Sequence, residues 1–130
     1  MQLQSKKSIV QKPATTVCEE LSDVKNFKKL MPENISKFEV IKENAFVFAL
    51  KGMPEIALEV KEVVAPNKVV LGAMSDKIPF NLTANINEID DTTSEVGLTF
   101  DGDFNPMMAM MIKGPITKFL ATLSENMNKL

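Results

Sequence analysis

Seventeen carboxylates, fifteen lysines and one thiol are the strongest chemical groups in this chain, which has no histidine, tyrosine or tryptophan and no arginine. Serine–histidine and cysteine–histidine nucleophile pairs are therefore excluded within one chain. Zinc sites built on histidine or several cysteines are excluded too. Cys18 stands between Val17 and Glu19 in a helical pattern and reads as a small packed side chain rather than a nucleophile. A general acid or base would have to be a carboxylate or lysine held inside with a displaced pKa. Asp76 and Lys77, at a strand end, are the pair placed for that role if the protein is an enzyme; the competing reading is a solvated loop tip. Asp101-Gly102-Asp103 has the opening of a calcium loop without its remaining ligands. No metal and no cofactor is expected.

A different signal comes from methionine. Four of the nine methionines fall at Met107, Met108, Met110 and Met111, and this flexible, polarizable side chain suits irregular apolar space or a variable binding surface. Asn105-Pro106 just before them is a helix start, with a capping side chain and a proline pre-set for the first helical position. Apolar residues recur at Met108, Met111, Ile112, Ile116, Phe119, Leu120, Leu123, Met127 and Leu130, the spacing of one helical face. If residues 105–130 are all helical, the rod is about 39 Å long. Gly114-Pro115 interrupts it, because a mid-helix proline removes the bond to the carbonyl of Met111. A kink or a second helical piece is predicted there, with Met107–Lys113 as a gate over any pocket, or else a bend that follows the surface beneath.

The elements before this helix must supply its partner. Leu3 to Val10 reads as a short edge strand, and Pro13 opens a helix carrying Val17 and Leu21. Ser22-Asp23 breaks it, and a second short helix aligns Val24, Phe27 and Leu30 before Met31-Pro32 ends it. From Ile35 the period becomes two. Strands are predicted over Ile35–Ile41, Ala45–Lys51, Glu55–Val64, Val69–Ser75, Pro79–Ile89 and from Val96 to Phe104. Glu43-Asn44, Gly52-Met53-Pro54, Pro66-Asn67, Asp76-Lys77 and the polar stretch Asp90–Ser94 make the turns. One dry and one wet face is the mark of an antiparallel sheet. Phe80, Leu82, Leu98 and Phe100 should face inward, with Ile56 and Leu58 beside them, and Glu55, Glu59, Asp101 and Asp103 outward. The fold class is α+β: about seven antiparallel strands curved around the long C-terminal helix, with two short helices after the first strand. An apolar pocket is expected where the bent sheet and the straight rod diverge.

Composition sets limits. At 130 residues, 45% hydrophobic and 25% charged, the chain is expected to form one domain over 1–130. The net charge of −2 and the lack of arginine argue against nucleic acid. No run approaches the ~18 apolar residues of a transmembrane helix, and the first residues lack the apolar core of a signal peptide. A cytoplasmic location is the default expectation. Lys25, Lys28 and Lys29 form a small basic face that reads as solvated surface.

The order strand, two short helices, antiparallel strands and long terminal helix resembles the START-like, or SRPBCC, superfamily with its helix-grip fold, typified by Bet v 1 allergens and polyketide cyclases. The stretch from Lys12-Pro13 through Leu21-Ser22-Asp23-Val24-Lys25-Asn26-Phe27-Lys28-Lys29-Leu30-Met31-Pro32 is similar to the proline-led helix, Ser-Asp, aromatic and terminal proline of that superfamily. The resemblance implies binding or carrying of a small apolar ligand such as a lipid or polyketide. The ligand-binding candidates are Leu30, Met31, Phe48, Leu58, Met74, Phe80, Phe100, Met108, Met111 and Ile112, acting through shape and dispersion. The alternatives are a cyclase- or dehydratase-type enzyme using Asp76 or Lys77, and a protein-interaction module or homodimer joined through Met107 and Met110.

Overall fold

The computed structural model describes every residue except Met1, Asn34, 51–54 and 75–79. Two short strands, β1 (Gln2–Gln4) and β2 (Ser8–Val10), precede helix α1 (Ala14–Ser22), a 3-10 turn (Val24–Asn26) and the one-turn helix α2 (Phe27–Leu30). Six strands follow: β3 (Ile35–Lys42), β4 (Ala45–Leu50), β5 (Ile56–Val64), β6 (Lys68–Ala73), β7 (Phe80–Asp90) and β8 (Thr93–Gly102). Helix α3 (Pro106–Asn126) and a closing 3-10 turn (Met127–Lys129) complete the chain.

All strands join one antiparallel sheet in the order β1-β8-β7-β6-β5-β4-β3, with β2 also on β8. The first strand expected over Leu3–Val10 is split in two. Leu3 pairs Phe100 and Ile9 pairs Glu95, so β1 and β2 lie end to end along β8, whose other side β7 occupies. The cause is Ser5. Its N–H donates to the Leu98 carbonyl at 2.9 Å while its hydroxyl accepts from the Leu98 N–H at 3.0 Å. The sheet thus holds eight strand segments in seven positions. Both edges are blunted: β1 and β2 have three residues each, and β3 carries two register shifts and the charges of Lys37, Glu39 and Lys42.

Alternation placed the side chains as expected. Phe80, Leu82, Ala84 and Ile86 of β7 and Val96, Leu98 and Phe100 of β8 are buried, while Asn81, Asn85 and Asn87 between them are exposed. The β7–β8 turn is tighter than the sequence suggested, since Thr93 and Ser94 already belong to β8. Asp90 Oδ1 accepts the Thr92 N–H at 2.9 Å. That bond holds the Asp90 carboxyl below its ordinary range. A depressed carboxylate contributes at neutral pH and loses its contribution as pH falls through its folded value.

Helix α3 begins as its sequence dictates, with Asn105 Oδ1 accepting from the Met108 N–H at 2.8 Å and Pro106 at the first position. It then runs without a break through Pro115, so the proline begins no second piece. Met111 and Pro115 are both exposed, which leaves the freed carbonyl open to solvent. Near its end the helix is pinned on two sides. Ser8 Oγ donates to the Ser124 carbonyl at 2.6 Å and Ser124 Oγ to the Lys6 carbonyl at 2.8 Å. Asn126 Nδ2 donates to the Leu30 carbonyl at 3.0 Å, tying in α2.

Candidate functional site

The inward face of the sheet is the floor of the candidate site and α3 is its roof. Two aromatic groups mark its ends. At one, Phe27 stacks on Phe46 at 5.3 Å, and Phe48 of β4 meets Phe119 of α3 at 4.9 Å with planes 8° apart. At the other, Phe80 lies 4.8 Å from Phe100, which also stacks on Phe104 at 6.0 Å. Gly102 is what lets Phe104 fold back, because a Cβ there would collide with the Phe104 ring.

The roof is fastened unevenly. Ile116, Phe119, Leu120 and Leu123 are buried, whereas Met108 and Ile112 are only half-buried and Met107 and Met110 are 75% and 83% exposed. The helix therefore buries its inner side in its second half and is only part-buried in its first, where Ile112 still packs against the core.

Seven of the ten candidate residues share one hydrophobic core: Leu30, Met31, Phe48, Leu58, Phe80 and Phe100 lie in it and Ile112 packs against it. Phe48, Leu58 and Phe100 are buried on the sheet and Phe80 lies at its margin, while on α3 Ile112 packs against this core and Met108 is half-buried. Leu30 and Met31 are buried on the α2 side, where Leu30 is tied to Asn126, about 27 Å along the helix from Met108. Met74 is half-buried at the end of β6, its N–H bonded to the Ala57 carbonyl. Met111, placed on the apolar stripe by its spacing, is turned to solvent and 71% exposed. At about 100° per residue it lies roughly a third of a turn from the line through Ile112, Ile116 and Phe119. Asp76 and Lys77 lie outside the described residues.

Electrically the interior is quiet. The buried polar residues among those described are Ser94 and Ser124, and both are bonded, Ser94 Oγ donating to the Lys12 carbonyl at 2.7 Å. On the outer face Lys37 pairs with Glu55 at 2.8 Å and Lys61 with Glu59 at 2.6 Å, the Lys61 hydrogen bond holding the Glu59 carboxyl below its usual range, while the part-buried Lys12 pairs with Glu20 at 2.7 Å and leaves Glu20 Oε2 buried without a hydrogen bond. Among the described residues no group of His, Cys, Asp and Glu could hold a metal ion.

Cys18 is the buried titratable group, free and 2% exposed. Burial pushes its thiol up, partly opposed by a hydrogen bond with Ser22 and reinforced by Glu19. A raised folded value means the neutral thiol is favoured, so stability drops as pH climbs from the ordinary thiol range towards the folded value. Iodoacetamide at pH 8.5 is expected to alkylate native Cys18 at least about tenfold more slowly than the urea-unfolded chain, read by mass spectrometry. Equal rates would contradict the burial.

Spacing alone did not reveal a second opening. A cleft of about 450 Å³ runs beside α3, lined by Pro32, Leu50, Gly114, Pro115, Lys118, Phe119 and Thr122. Gly114-Pro115 was legible as a helix irregularity, but its partners come from α2 and β4, far away in sequence.

No family model matches the sequence, and no curated protein is significantly similar to it. Solved structures are similar in shape. Norcoclaurine synthase from Thalictrum flavum in complex with dopamine and hydroxybenzaldehyde superposes with a TM-score of 0.76 at 14% identity, over 99% of this chain and 84% of that one. A START superfamily protein from Mycobacterium smegmatis gives 0.70 at 12% identity over 98% and 97%. A conserved protein from Geobacillus kaustophilus gives 0.65 at 15% identity over 95% and 90%. At these identities the likeness speaks for architecture. The chain has a helix-grip fold, the architecture it shares with these structures.

Proposed function

We propose that this protein binds a small apolar molecule, of the lipid or polyketide kind, in the hollow between the sheet and the first half of α3. One observation carries the reading: Ile116, Phe119, Leu120 and Leu123 of α3 are buried, whereas Met108 and Ile112 nearer its start are only half-buried, and the aromatic trio Phe80, Phe100 and Phe104 lies at the end of β8 from which the helix sets out. An apolar guest there would cover surface that water now reaches, at about 25 cal/mol per Å² of apolar area removed from water. Recognition would rest on shape and dispersion from Phe48, Leu58, Phe80, Phe100, Met108 and Ile112, with Met31 and Met74 at the margins. Norcoclaurine synthase with its two small aromatic molecules supports a scaffold of this shape as a container for organic guests.

Carriage is favoured over catalysis because an enzyme of the cyclase or dehydratase kind needs an ionisable group facing the guest. The described inward residues of β4–β8 and α3 are apolar, apart from the bonded hydroxyls of Ser94 and Ser124. No described helix is long and apolar enough to cross a membrane. The lone free thiol suits a reducing compartment such as the cytoplasm.

A second reading draws on the exposure of Met107, Met110 and Met111, a patch suited to a protein partner or a second copy. Native mass spectrometry of protein purified without detergent separates the two. A monomer carrying a co-purifying small molecule of constant mass is expected. A ligand-free dimer that Met107→Lys and Met110→Lys dissolve would instead establish the second reading.

A further inference from the structure

Helix α3 changes character at Gly114-Pro115. Ile116, the next residue, is buried, as are Phe119, Leu120 and Leu123 beyond it, whereas no residue from Pro106 to Pro115 is. The second half is also tied down, by Asn126 to Leu30, by Ser124 to Lys6 and Ser8, and by the stack of Phe119 on Phe48. Among the described residues no side-chain hydrogen bond or ion pair joins 106–115 to the sheet or to α1 and α2; its bonds are the Asn105 cap and those along the helix itself. Ile112 is its contact with the core.

The helix is weakest at the same point. Pro115 has no N–H to offer the Met111 carbonyl. Glycine inside a helix is destabilising relative to alanine. A Cβ at Gly114 would meet nothing within 4 Å, so packing does not require the glycine. Two helix-weakening residues thus stand side by side where the buried stretch ends.

A segment bounded in this way can let go while the rest stays in place. Residues 106–113 make about two turns, too few to persist as helix without packing. They span about 12 Å as helix and would reach about 27 Å extended, so unwinding supplies the slack to rise with both ends anchored. The Phe48–Phe119 stack closes the interior further along, which leaves the part-buried half as the side that opens.

We propose that residues 106–113 are a strap that unwinds as one unit, between the Asn105 cap and the Gly114-Pro115 joint, to admit the apolar guest, and rewinds over it through Met108 and Ile112. The inference rests on the apolar-binding reading above and adds to it the route of entry. A strap of this kind sets rates rather than affinity, because harder opening slows entry and exit alike.

Two measurements on the full chain test it. Hydrogen exchange reads the strap without any guest, and stopped-flow fluorescence with the neutral probe N-phenyl-1-naphthylamine reads binding and release. In the parent protein the amides of 110–113 are expected to exchange together, at least about tenfold faster than those of Phe119–Leu123. The double variant Gly114→Ala, Pro115→Ala should slow that exchange about fivefold or more, and slow probe binding and release by a similar factor, with Kd unchanged within about twofold. Thr122→Ala, a gain in helix propensity beyond the joint, should alter neither rate. Protection at 110–113 equal to that at Phe119–Leu123 overturns the strap and leaves apolar binding standing. So do unchanged probe kinetics in a double variant whose strap exchanges more slowly. A probe that fails to bind the parent protein overturns the apolar-binding reading and the strap with it.

Discussion

Leu82→Asp is expected to leave no cooperatively folded protein at neutral pH, whereas Asn85→Asp on the same strand should change stability by less than about 0.5 kcal/mol. Leu82 is 3% exposed and paired with Leu71 on one side and Phe100 on the other. A carboxylate there would lie among apolar residues, and leaving a charge uncompensated in such a place costs several kcal/mol after relaxation. Lost burial of the leucine adds roughly 2 kcal/mol. Against a total stability of roughly 5–15 kcal/mol for a domain, the sum is decisive. Asn85, three residues on, points the other way and is exposed. Urea unfolding followed by far-UV circular dichroism distinguishes the two variants. A cooperative Leu82→Asp transition near that of the parent would contradict the dry inner face.

Phe119→Ala should cost roughly 3–5 kcal/mol, the range for truncating a buried aromatic. Its ring is 5% exposed and joins the roof to the floor through Phe48, an offset pair that adds to simple burial. Leu123 and Leu120 hold the same stripe further on, and the Ser8–Ser124 hydroxyl contact and the Asn126–Leu30 bond pin the tail beyond them. The variant should therefore remain folded while hydrogen exchange accelerates in α3 upstream of Phe119. Met110→Ala, at an exposed position on the same helix, should be close to neutral. A Phe119→Ala loss below about 1 kcal/mol would mean that the helix is not held by this contact.

Much of this architecture was written in local chemistry. The period-two pattern of Phe80, Leu82, Ala84 and Ile86 admits one inward face, and Asn105-Pro106 admits a helix start; both are where spacing placed them. What local pattern missed depends on contacts across the sheet. Ser5 breaks the first strand because Leu98 offers it both a donor and an acceptor, and nothing near Ser5 in sequence announces that. Met111 fits a loose apolar stripe, but the groove of the sheet is narrow enough to bury only the tighter line through Ile112, Ile116 and Phe119. Pro115 was expected to kink the helix or start a second piece; α3 continues through it, so no second piece begins there. Of the site, the apolar floor was legible and the cleft around Lys118 was not. It exists only because α2 and the end of β4 come alongside Gly114.

The central claim is that apolar guests enter beneath the first half of α3 rather than settling on its outside. Methyl-¹³C labelling of the methionines, with 1-decanol titrated into the full chain, tests it most directly. The Met108 methyl should shift in a saturable way while Met107, Met110 and the fully buried Met127 stay in place. Shifts confined to Met107 and Met110, with Met108 unmoved, would contradict the account and place the binding surface on the exterior.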